Sequence, residues 1–139
     1  MPKKSVATRK LSAREQRNLE IEIGFMEGIV RRDPSYVEAL QILGDGLTRY
    51  GRFQEGLEVD ERLAILRPND PMVVYNLACS YALTKKYAQA AESIDLAIDL
   101  GYRDFKWLSQ DPDLRGLRRT AHFKRIRARV KALKAEAAS

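Results

Sequence analysis

Cysteine and histidine are almost absent: Cys79 and His122 are the only examples among 139 residues. A single cysteine can form no internal disulfide, and one residue of each kind cannot build a Cys/His metal centre. No metal and no cofactor is therefore expected. His122 has basic neighbours in Lys124 and Arg125 and is read as a surface or cap residue. Cys79 has no activating base close by in sequence and is read as a small apolar residue. A glycine-rich phosphate loop is also missing, because Gly24, Gly28, Gly44, Gly46 and Gly56 fall inside helical patterns. Asp111 and Asp113 suit a turn cap better than a pair of catalytic acids. With no catalytic constellation, no enzyme is expected.

Long apolar runs are lacking too. None approaches the ~18 residues of a membrane span, so none is expected. The opening MPKKSVATRKLSAR has no apolar h-region, and a secretory signal is not expected. It is basic and contains no acid before Glu15, which suits either a solvated tail or an organellar transit peptide. The preferred reading is a disordered basic tail over 1–11 in a cytoplasmic protein. No stretch alternates polar and apolar residues as a strand does, so the expected class is all-α.

What is present is a repeat. Residues 37–70 lie over 71–104 without a gap, at a period of 34. Leu43 falls on Leu77, Phe53 on Tyr87, Glu58 on Glu92, and Leu66 on Leu100. A fixed period of about this size marks stacked units that cannot bury their apolar faces alone. Local signals divide the chain into helices. Ser12 to Glu15 reads as a capping box opening a helix with Leu19, Ile23, Met26, Ile29 and Val30 on one face. Asp33-Pro34 ends it. Ser35 to Glu38 reads as a second capping box, Gly51 as a left-handed stop, Asp70-Pro71 as a cap with proline in the first turn, and Gly101 as the next stop. A final helix from about Thr120 carries Phe123, Ile126, Val130 and Leu133 on one side. Trp107 is expected to plug the joint before that helix. Helices joined by such short turns must pack antiparallel.

Leu40, Leu43, Gly44, Leu47, Phe53, Gly56 and Pro68 in the first unit, with Val74, Leu77, Ala78, Tyr81, Tyr87, Ala90, Ile94 and Ala97 in the second, resemble the tetratricopeptide repeat (TPR). Asp60 departs from that pattern, standing where a large apolar residue is usual. Its expected partner is a nearby arginine or water. The resemblance implies a right-handed α-solenoid of antiparallel hairpins. Its parts would be a half repeat (12–34), repeat 1 (37–70), repeat 2 (71–104) and a C-terminal cap (105–139), together one domain over 12–139.

The resemblance further implies a cochaperone-like protein-interaction adaptor. A partner peptide or helix would lie on a concave face lined by Glu38, Gln41, Asp45, Thr48 and Arg49, then Met72, Tyr75, Cys79, Ala82 and Leu83. Two and a half units offer little binding area, so self-association through the uncovered side of the first helix is a further expectation. The alternative function comes from charge. Residues 18–102 hold fourteen acidic and eight basic side chains, whereas 103–139 hold eleven basic and four acidic. Lys124, Arg125, Arg127, Arg129, Lys131 and Lys134 would then form a basic patch for nucleic acid or an anionic surface. No nucleic-acid motif accompanies them, so the protein partner is preferred.

Overall fold

The computed structural model describes residues 10–139. Most of the expected tail therefore lies outside the described residues, although Leu11 packs on the first core cluster. The fold is all-α, with eight helices and one 3₁₀ turn, and no strand among the described residues.

Helix α1 (Ala13–Arg32) opens at the expected capping box. The Glu15 amide donates to Ser12 Oγ at 3.1 Å, and the Ser12 amide donates to Glu15 Oε1 at 3.2 Å. The second box does not form. Tyr36, not Ser35, caps α2 (Val37–Tyr50), and the Ser35 amide turns back to Asp33 Oδ1 at 3.3 Å. The Asp33-Pro34 turn thus claims Ser35 before the helix can. Gly51 ends α2 at φ +99°, a left-handed conformation that costs glycine little.

Helix α3 (Phe53–Leu66) follows, then α4 (Pro71–Leu83), where Asp70 Oδ1 accepts the amides of Met72 and Val73. After α5 (Tyr87–Asp99) the chain turns through Gly101 at φ +112°. It continues as α6 (Phe105–Gln110), the 3₁₀ turn Pro112–Leu114, α7 (Arg115–Arg118) and α8 (Ala121–Ala138).

From α1 through α4, each helix packs on the next in chain order. The turns between them take only two to four residues. The chain after α5 then folds back: the 3₁₀ turn and α7 pack on α4, and α8 packs on α5 and α7. Two apolar clusters result. One joins Leu19, Ile23 and Val30 of α1 to Leu40, Leu43 and Leu47 of α2, with Leu63 and Val73. The other runs from Val74 and Ala78 through Ile94 and Ile98 to Leu108, Leu117, Phe123 and Ile126. Val130, Leu133 and Trp107 pack against the second cluster while remaining partly exposed. Helix α4 serves both, with eight of its thirteen residues buried. A helix covered on every side has no room for a polar face, which explains its largely apolar composition.

Small residues set the helix spacing. A Cβ on Gly44 would stand 3.1 Å from Asp60 Oδ1 and 3.3 Å from Val59 Cγ1. One on Gly46 would stand 3.2 Å from Ile23 Cγ1. The space beside Gly44 is where the Asp60 carboxylate lies, and that carboxylate is buried. A hydroxyl from α4 meets it there: Ser80 Oγ donates to Asp60 Oδ2 at 2.5 Å.

Candidate functional site

The ten residues expected on the concave face divide by burial. Glu38 is exposed, and Gln41, Asp45, Arg49, Met72 and Leu83 are half-buried. Thr48, Tyr75, Cys79 and Ala82 are buried and present no surface to a partner, a correction to the expected groove. On α4 the cause is the returning chain after Gly101, which lies against that helix. The Tyr75 ring stacks on Tyr102, with centroids 4.4 Å apart and planes 8° from parallel. Its hydroxyl donates to Asp111 Oδ2 at 2.7 Å, and the Cys79 thiol donates to the same oxygen at 3.7 Å. Asp111 Oδ1 accepts the Asp113 amide at 3.0 Å, which starts the 3₁₀ turn. Burial, reinforced by the nearby Cys79 and Asp111, pushes the Tyr75 hydroxyl far above its ordinary value, so it stays a donor. Thr48 is closed off differently: a Cβ on Gly56 of α3 would be 2.9 Å from its Oγ1.

Cys79, Asp111 and Asp113 each bring a possible ligand atom within 4.8 Å of the others. All three are buried, and the donors already aimed at Asp111 make the group an internal hydrogen-bond network holding the cap on α4.

On α2 an accessible row remains. Glu38, Gln41, Asp45 and Arg49 recur at intervals of three or four residues, which places them along one face. Arg49 Nη1 lies 3.9 Å from Asp45 Oδ2.

The basic last helix is less free than its composition implies. Arg125 Nη2 donates to Asp95 Oδ2 at 2.7 Å. Arg129 reaches Asp95 Oδ1 at 3.2 Å and also pairs with Asp99. Part of the acidic-middle, basic-end division is thus an internal attraction between α5 and α8. Hydrogen bonds donated to Asp99 and Asp95 hold the Arg129 guanidinium above its usual range, against an opposing effect of burial. Arg127 stacks over the Phe123 ring at 5.1 Å. Lys124, Lys131 and Lys134 are exposed. His122 is exposed and shares a shallow hollow with Glu92 and Arg125.

A groove of about 370 Å³ lies between α6, α7 and α8. Phe105, Leu108, Phe123 and Val130 give it an apolar floor. Arg118, Arg127, Lys131 and Lys134 line its sides, and no carboxylate is among the lining residues. Arg118 is tied down by Nη1 donating to the Leu108 carbonyl at 3.1 Å, and burial lowers its pKa. The only sequence signal for this groove is the α8 stripe, which reads as core.

No helix among the described residues is long and apolar enough to cross a membrane. No family model matches the chain, and no solved structure matches it. The chain is similar to a chloroplastic protein of Arabidopsis thaliana, with 27% identity over 103 residues. That match covers 70% of this chain but 31% of the relative, so the chain spans about a third of that protein's length.

Proposed function

We propose that the chain is a non-catalytic protein-interaction adaptor, built as a TPR-like right-handed solenoid of antiparallel hairpins. A partner peptide or helix docks along α2. The observation that carries this reading is the accessible row Glu38, Gln41, Asp45 and Arg49, standing on a helix whose other side is packed into core. The 34-residue period and the packing of each helix on the next support the solenoid. The row holds two acids and one base, so the partner segment carries basic residues opposite Glu38 and Asp45.

The double variant E38K/D45K tests the docking face. Affinity capture from native extract, read by mass spectrometry, is expected to lose its specific partner while far-UV circular dichroism stays unchanged. Capture equal to that of the parent chain refutes the assignment.

Self-association has its own support. Ile21 and Phe25 are each 67% exposed, one helical turn apart on α1. Two such side chains in water favour a second copy against that face. Light scattering is expected to show a concentration-dependent dimer that F25S removes, and a monomer at every concentration refutes it.

The location we propose is the cytoplasm. The chloroplast address belongs to the Arabidopsis relative, and a fluorescent fusion of the full chain found in an organelle would overturn the cytoplasmic reading.

A further inference from the structure

We infer that the groove between α6 and α8 is a second docking site, for a short acidic segment of a partner protein anchored by one large apolar side chain. The inference rests on the reading of the chain as a protein-binding module, but it uses a different face and the opposite charge. Three observations select this occupant.

The floor is apolar, and Leu108 and Phe123 are held rigid by the core beneath them, so an incoming leucine or phenylalanine side chain loses water without displacing protein. The sides are cationic without a carboxylate in the lining. Arg125 and Arg129 are engaged by Asp95 and Asp99 on the α5 side of the helix, whereas Lys131 and Lys134 have no carboxylate partner among the described residues. Lys131 and Lys134 are therefore available to an outside anion.

The spacing distinguishes a peptide from a single charged head. Arg127 and Lys134, with Lys131 between them, stand seven positions apart on α8, or roughly 10 Å along the axis. One carboxylate head cannot meet all three, but acids spread along a short peptide can. Nucleic acid fits less well, because base stacking needs an open ring face and Arg127 already covers one face of Phe123.

The test uses the full chain and a short fluorescein-labelled peptide with a central leucine flanked by glutamates and aspartates, read by fluorescence anisotropy. Saturable binding is expected, weakened about tenfold or more in K131E/K134E and as much when the central leucine is replaced by serine. Both lysines are exposed, so the double variant is expected to keep its melting temperature. E38K/D45K is expected to bind this peptide normally, which separates the two faces: loss of native capture in that variant concerns α2 alone. Equal binding of the serine peptide would reduce the groove to general charge attraction and overturn the inference. Binding unchanged in K131E/K134E would overturn it as well. A medium-chain fatty acid that binds where the peptide does not would reassign the groove to a lipid carboxylate.

Discussion

The Asp60 carboxylate is 3% exposed and accepts the Ser80 hydroxyl proton from the neighbouring helix. Gly44 provides the space and Ser80 the donor, so three residues from three helices make one polar contact within an otherwise apolar layer. Removing the donor leaves a buried acceptor short of one hydrogen bond, which costs about 1–3 kcal/mol. S80A is therefore expected to lower stability by that amount in urea unfolding, with an unchanged m value. A smaller loss would mean that the contact is incidental. Tyr75 makes a second prediction at this scale. Its folded pKa lies above the ordinary 10.0, so the folded state favours the protonated form. The resulting stability is complete below that pH and is lost above it, as the unfolded chain ionises and the folded one does not. Melting temperature is expected to fall steeply above about pH 10. In Y75F the fall is expected to be shallower but not absent, because burial raises Tyr102 and Tyr81 as well.

Helices make their own prediction through α7, which is held against α5 by the absence of a side chain. A Cβ on Gly116 would lie 2.5 Å from Tyr87 Oη and 3.2 Å from two ring carbons. G116A must push the ring aside or lift α7, and overpacking of this kind costs about 1–3 kcal/mol. Calorimetry of G116A in the parent and in a Y87A background checks it: the alanine is expected to cost less where the ring is gone.

Most helices are legible in the sequence, because Ser12, Gly51, Asp70 and Gly101 are local signals acting within a turn of themselves. Ser35 fails for a local reason too, since Asp33 competes for its amide. The proposed docking face is less legible. The repeat resemblance puts Tyr75 and Cys79 on an open face of α4, and nothing periodic after Gly101 announces that Tyr102 and Asp111 return to cover them. The α6–α8 groove is hidden for a related reason: a six-residue α6 is too short to cover all of the α8 stripe, and helix length in an aperiodic stretch is poorly encoded.

At the scale of the molecule, two apolar clusters share α4 as their common wall. The first rests on α1, the second on the returning chain that ends in α8. Opposite charges reinforce the second, with Arg125 and Arg129 of α8 on Asp95 and Asp99 of α5. Exposed pairs of this type contribute at most about 1 kcal/mol each, so apolar burial rather than charge seats the cap. Because the lone thiol of Cys79 lies beneath that cap, the chain carries its own gauge of how often the cap lifts. A maleimide can reach the sulfur only during an opening, so its labelling rate reads the open population directly. Native protein is expected to react at least about a hundredfold more slowly than urea-unfolded chain, and Y75F faster than the parent. Labelling of the parent at the unfolded rate would mean that the wall of α4 stands open to solvent and that its buried face is again within reach of a visitor.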